Sequence, residues 1–130
     1  FVPSVAPLKE KYRIADRYGY RTHPISGERQ FHAGLDMAAV YAATVHAAAS
    51  GTVTFAGETP GYGKTVVVTH RFGFQTRYAH LTLIYTRKGA KVEKGDVIGF
   101  VGSTGISTGN HLHYEVIKNQ KRINPLNFIY

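Results

Sequence analysis

Cysteine is absent from the 130 residues. That absence removes thiolate metal ligation, a thiol nucleophile and disulfide bonds, and leaves an oxidising compartment open without requiring one. No apolar run approaches the roughly 20 residues needed to span a bilayer. No stretch combines the length and 3.6-residue period of a long amphipathic helix. Internal repeats and low-complexity segments are missing too. Acidic residues are scarce, 8 Asp+Glu against 16 Lys+Arg, for a net charge of +8. A basic domain favours anionic partners: nucleic acid, acidic lipid, or an anionic polymer such as cell-wall material. The positive charge is spread along the chain, with no Lys/Arg cluster interleaved with aromatics, so nucleic acid is not the expected partner.

The length suits one domain with a real core. Hydrophobic content of 43% with 12% aromatic residues is that of a globular chain. The first residue is Phe1, which reads as a mature or trimmed chain; a signal peptide or membrane anchor, if the protein has one, is expected outside it. Two prolines in the first eight residues mark a lead-in, and residues 1–17 read as a linker ahead of a domain at 18–130. Residues 9–21 fit either a short helix followed by a strand or an extended segment. Downstream, short strands alternate with glycines. Val53 and Phe55 are expected on one face of the strand at 52–57. TVVVTH (65–70) and FQTRYAH (74–80) form a hairpin across Arg71-Phe72-Gly73. On its second strand Phe74, Thr76, Tyr78 and His80 are expected to share a face. Residues 90–101 hold two short strands around Lys94-Gly95-Asp96, and INPLNFIY (123–130) a closing turn. Only the alanine-rich stretch 37–50 has high helix propensity, and Thr44-Val45 with Gly51 make a loop into a strand at least as good a reading. With 14 glycines setting turns, the fold is expected to be mainly antiparallel β.

Seven histidines are present: His23, His32, His46, His70, His80, His111 and His113. In the strand-like segment HLHYEV (111–116), side chains two apart share a face. His111 and His113 therefore point one way, and Leu112, Tyr114 and Val116 the other. Two imidazoles facing a cleft suit a metal site or proton transfer. His32 and Asp36 stand four apart, a spacing that lets both reach one ion from a helix or from a strand, although Gly34 argues against a helix. With one histidine of the HLH pair they make a two-His, one-carboxylate set. Imidazole and carboxylate are good Zn²⁺ ligands, and three protein ligands leave a fourth position for water, which marks catalytic zinc. The other HLH histidine, joined by His80, is placed to accept a proton and stabilise an oxyanion. Glu115 lies on the His113 face, where it either orients a ligand or forms a surface ion pair.

These segments together resemble the lysostaphin-like, or LytM-type, zinc metallopeptidases, which cut peptide bonds in bacterial peptidoglycan. The resemblance is carried by YGYRTHPISGERQFHAGLDMA (18–38), AASGTVTFAG (48–57), GYGKTVVVTH (61–70), TRYAHL (76–81), GAKVEKGDVIGFVGSTGISTGNHLHYEV (89–116) and INP (123–125), in the family's order. It implies a mainly antiparallel β fold of the duplicated-hybrid-motif type with a groove between loops. It implies one Zn²⁺ per chain held by His32, Asp36 and His113, with His80 and His111 as the catalytic pair. Arg21 and His23 match a segment near the groove, with a substrate-contact or a structural role. His46 and His70 are expected to be structural. The chain departs from the family at Ala43-Thr44-Val45-His46, one residue shorter than a common Gly-Thr-Pro-Val turn, at Asn110, where proline is frequent, and at Tyr114, where phenylalanine is.

The implied activity is zinc-dependent hydrolysis of stem or cross-link peptides of peptidoglycan, in the periplasm or cell envelope. The alternative is a non-hydrolytic or autoinhibited regulator of other wall hydrolases, with a paralogous or regulatory wall protein as partner. A third reading takes residues 91–105 as the hairpin of a biotinyl- or lipoyl-type carrier domain, but no modification lysine of the usual Met-Lys-Met kind accompanies it.

Overall fold

A computed structural model describes residues 6–22, 29–105 and 109–128. Twelve strands and one short 3₁₀ helix (Pro125–Phe128) account for its regular structure, so the antiparallel β expectation holds. The main sheet follows the order β1 (Arg13–Asp16), β4 (Leu35–Ala38), β11 (His111–Lys118), β8 (Phe74–Ile84), β7 (Gly63–Thr69), β6 (Gly51–Thr59) and β9 (Lys91–Val92), every neighbour antiparallel. β10 (Val97–Val101) pairs with both β5 (Thr44–His46) and β8, and β12 (Lys121–Ile123) closes a hairpin on β11. β2 (Gly19–Thr22) and β3 (Arg29–His32) form a separate two-stranded ribbon.

The central strands alternate as a half-buried sheet should. In β11, Leu112, Tyr114 and Val116 are fully buried in the core, where they meet Leu35 and Met37 of β4 and Tyr78 of β8. Their odd-numbered neighbours His111, His113 and Glu115 project from the opposite face.

Two face assignments fail for one physical reason, a bulge that shifts the period of two by one residue. In β6 the register slips between Val53, opposite Val68, and Phe55, opposite Val67. Thr54 is the extra residue, and Ala56 rather than Phe55 packs on the core with Val53. In β8, Thr76 and Tyr78 are buried among core residues, whereas the His80 ring lies beside those of His111 and His113 on the other face. His80 has φ +63°, an uncommon backbone for a non-glycine residue. This left-handed residue turns the histidine out to the cleft and returns Leu81 to the core.

Residues 9–21 are extended rather than helical. Within the segment read as a lead-in, Leu8 is buried and bridges Val45, and Arg13–Asp16 pairs with β4. The stretch 37–50 is β4, a turn and β5, with no helix. β9 and β10 pair with different partners and not with each other, so the carrier-type hairpin is not formed. Among the described residues no helix is long and apolar enough to cross a membrane.

Candidate metal centre

The register of β4 against β11 builds the site. Asp36 stands directly across from His113, and Ala38 across from His111. Because Leu35 and Met37 must face the core, Asp36 must face the histidines. His32 arrives from the ribbon, at the end of β3, so His32 and Asp36 share neither a helix nor a strand, as either spacing argument required. The chain turns between them at Gly34. A Cβ there would lie 2.7 Å from the Tyr114 carbonyl and 2.8 Å from the His113 ring. Only glycine allows this approach, which brings His32 over β11.

Asp36 bridges the two histidines. Its Oδ1 is 2.8 Å from His113 Nδ1 and its Oδ2 is 3.2 Å from His32 Nε2. The three side chains form the one metal-competent grouping found among the described residues, with ligand atoms within 4.8 Å of one another. Each imidazole is tethered through its outer nitrogen. His32 Nδ1 donates to the Arg17 carbonyl at 3.0 Å, and His113 Nε2 donates to Glu115 Oε2 at 2.8 Å. These bonds fix the tautomers that present His32 Nε2 and His113 Nδ1 towards Asp36.

Two further histidines flank the set. His111 Nδ1 donates to the Gly109 carbonyl at 2.9 Å, and its Nε2 is 4.0 Å from Asp36 Oδ1. His80 Nδ1 donates to the Thr104 carbonyl at 2.7 Å. The rings of His80 and His111 are 4.8 Å apart. A cleft of about 490 Å³ opens beside His111 and Asp36, bounded also by Arg13, Asp16 and Asn110. His23 lies outside the described residues. Arg21 is placed by its main chain, opposite Gln30 in the ribbon.

The electrostatics follow from this crowding. Burial alone would raise the Asp36 carboxyl, but hydrogen bonds and charge from His113 and His32 hold it well below the carboxylate range. Burial alone would lower His113; Asp36 and Glu115 override it and push the imidazole up to about 9. Glu115 falls to about 2, its burial outweighed by His113 and Arg122. For His80 burial dominates, with His111 and His113 adding to it, and the imidazole drops below its usual value despite the Thr104 bond. Asp36, His32 and His113 are thus arranged around a shared positive charge. A divalent cation could replace the proton on His113 among the same three groups, and neutral imidazole and carboxylate are donors zinc accepts. The donor set fits zinc.

Residues that sequence reasoning passed over hold the site from behind. Glu115 is fully buried, so it is no surface ion pair. Besides His113 it accepts from Tyr62 Oη at 3.0 Å and Arg122 Nε at 2.9 Å, with Arg77 at 3.5 Å. Tyr62 and Arg122 carried no signal of their own. The usable clue was Glu115 itself, a carboxylate on the His113 face that burial would oblige to find donors.

The other two described histidines are different. His46 bonds Gly95 and Thr44 through its two nitrogens, both at 2.8 Å. His70 bonds Ser50 and Thr76, also at 2.8 Å. Both are structural, as expected.

Comparison with known proteins agrees with this geometry. Residues 30–125 match the model of peptidase family M23. The chain is 47% identical over 114 residues to the DD-carboxypeptidase/endopeptidase Mpg of Neisseria meningitidis, covering 88% of this chain and 26% of that protein. It is 36% identical over 121 residues to the peptidoglycan DD-endopeptidase ShyA of Vibrio cholerae, covering 92% and 28%. The chain therefore spans about a quarter of the curated relatives' length. Among solved structures, Helicobacter pylori Csd3 superposes with a TM-score of 0.83 at 39% identity, covering 97% of this chain and 34% of that one. The catalytic domain of lysostaphin from Staphylococcus simulans superposes at 0.81 and 30% identity, covering 90% and 91%.

Proposed function

Because the chain belongs to peptidase family M23, we propose that it is the zinc-dependent peptidase module of a peptidoglycan hydrolase, cutting peptide bonds of stem or cross-link peptides. The observation that carries this reading is the convergence of His32, Asp36 and His113 on one point with His80 and His111 alongside. The names of relatives such as a peptidoglycan DD-endopeptidase supply the substrate class.

His32 Nε2, an Asp36 oxygen and His113 Nδ1 would hold one zinc ion. Bound there, zinc supplies Lewis acidity, lowering the pKa of water towards ~7 and polarising a peptide carbonyl. The chain's own residues do the rest. His80 and His111, each tethered through Nδ1, keep Nε2 for proton transfer. Two rings 4.8 Å apart can take a proton from the attacking water and steady the oxyanion between them. The cleft along Arg13, Asp16 and Asn110 offers an extended peptide a path past Asp36 and His111. The net charge of +8 favours encounter with an anionic wall polymer. Such a substrate puts the protein's work in the bacterial periplasm or envelope.

A second reading, a protein-binding regulator of other wall enzymes, draws support from the likeness to a chain in the structure of the SpoIIQ–SpoIIIAH pore-forming complex, with a TM-score of 0.85 at 28% identity, covering 98% of this chain and 91% of that one. One experiment separates the two. A defined cross-linked muropeptide is incubated with zinc-loaded protein and its products are weighed by mass spectrometry. Hydrolysis predicts fragments whose summed mass exceeds that of the substrate by one water per cut bond, and no fragments after chelation. Intact substrate from zinc-loaded, folded protein would overturn the hydrolase reading and favour the regulator.

A further inference from the structure

Of the four described histidines clustered around Asp36, three are tethered by main-chain carbonyls: His32 by Arg17, His80 by Thr104 and His111 by Gly109. His113 is the exception. It is tethered by a carboxylate, and through Nε2 rather than Nδ1. A neutral carbonyl would suffice to hold a ring. A fully buried carboxylate is costly to desolvate and persists only when its partners repay that cost. Here they do, and they come from three separate parts of the chain: Tyr62 from the turn before β7, Arg77 from β8 and Arg122 from β12.

Tyr62 has a second contact. Its main-chain carbonyl accepts the His80 N–H at 2.8 Å, where the backbone is left-handed. Its ring packs 5.5 Å from that of His113, and the Arg77 guanidinium lies 4.9 Å from its centroid. One residue thus touches the support of His113 through its side chain and the placement of His80 through its main chain.

We propose that Glu115 is the positioning residue of the metal centre: clamped by Tyr62 and Arg122, it accepts the hydrogen bond of the His113 Nε2–H and so keeps Nδ1 as the ligand atom. An anionic acceptor also makes the imidazole a stronger donor to a cation than a carbonyl would. The β11–β12 hairpin and the Tyr62 turn become parts of the zinc affinity, although neither supplies a ligand. The inference rests on the metal reading proposed above, but not on the substrate.

The test is zinc affinity by competition with a chromophoric chelator at fixed pH, together with the visible spectrum of the Co²⁺-loaded protein, for the whole chain and its Glu115→Gln variant. The glutamine matches the carboxylate in size but has one acceptor oxygen to divide between His113 and Arg122. We expect zinc affinity to fall roughly 10–100-fold and the Co²⁺ bands to shift. Tyr62→Phe, which leaves every buried charge in place, should move both readouts the same way by less than tenfold. A cooperatively melting Glu115→Gln protein with unchanged zinc affinity and Co²⁺ spectrum would overturn this inference alone. If that variant does not fold, the same result for Tyr62→Phe overturns it. A wild-type chain that binds no zinc removes both this inference and the metal reading beneath it.

Discussion

The histidines gathered around Asp36 and the histidine between β7 and β8 engage their ring nitrogens in opposite ways. Around Asp36, His32, His80, His111 and His113 each give one nitrogen to a tether; the other nitrogens of His32, His111 and His113 lie within 4.0 Å of the Asp36 carboxylate, and the His80 ring packs 4.8 Å from that of His111. Below β7, His70 gives both nitrogens to neutral groups. Its network has a single sense: the Ala48 N–H donates to Tyr78 Oη, Tyr78 to Thr76 Oγ1, Thr76 to His70 Nε2, and His70 Nδ1 to the Ser50 carbonyl. Every donor meets one acceptor, and burial lowers the His70 imidazole. Burial does not divide the groups, since His70 and His113 are each 7% exposed. The divide is the carboxylate. A histidine whose inner nitrogen meets Asp36 can exchange its proton for a cation, while one closed at both ends by hydroxyl and carbonyl can only hold the fold.

The sharpest way to break this contrast is to remove the shared carboxylate. Asp36→Ala should abolish zinc binding and lower hydrolysis by ~10³-fold or more, since several kcal/mol of charge stabilisation is lost with the metal. Metal analysis and muropeptide turnover read it, and an Asp36→Ala chain that keeps stoichiometric zinc would refute the comparison. His80→Ala should instead keep zinc while losing ~10²-fold or more in turnover, the scale of a missing acid–base group. A drop in its zinc content would show that the flanking pair is not separate from the ligands.

On the structural side the test is a pair of tyrosines whose rings lie 5.4 Å apart. The Tyr78 hydroxyl links Ala48 to Thr76, so Tyr78→Phe strands a buried N–H and should cost about 1–3 kcal/mol of stability by denaturant unfolding, with zinc affinity unchanged. The Tyr114 hydroxyl is buried with no hydrogen-bond partner among the described residues. Tyr114→Phe should therefore be neutral or stabilising by up to about 1 kcal/mol. Equal destabilisation by both would mean that volume, not hydrogen bonding, governs this layer.

The smallest effect concerns pH. His70 is held neutral below its ordinary value of 6.5. As pH falls through 6.5 the unfolded chain takes up a proton that the native one refuses, so this stabilising contribution is complete above 6.5 and fades as pH drops towards the lowered native value. His70→Gln should flatten the fall of the melting temperature on acidification below 6.5; an identical slope would deny His70 its part in it.

Much of this was legible in the sequence. The alternation in HLHYEV set which face of β11 carries the imidazoles, and the β-branched runs marked the hairpin of β7 and β8. What the pattern could not carry was anything depending on a break in the pattern. The bulge at Thr54 and the left-handed backbone at His80 each shift the period by one residue, and no residue type announces them. Strict alternation puts His80 on the strand face of Tyr78, and its ring reaches those of His111 and His113 only because that regularity fails. In the sequence Gly34 argues only against a helix; its actual constraint, contact with the Tyr114 carbonyl and the His113 ring, depends on a strand some 80 residues on. Tyr62 and Arg122 were invisible for the same reason, since their meaning lies in a buried carboxylate that only the folded chain brings to them.

On the proposed reading, His111 and His113, two residues apart on one strand face, divide the work between proton transfer and metal ligation. Zinc content per chain, measured side by side for folded His113→Ala and His111→Ala proteins, addresses it directly. The prediction is that His113→Ala retains little or no zinc, while His111→Ala retains one ion per chain and loses turnover. Loss of zinc from both variants, or its retention in His113→Ala, would contradict the division.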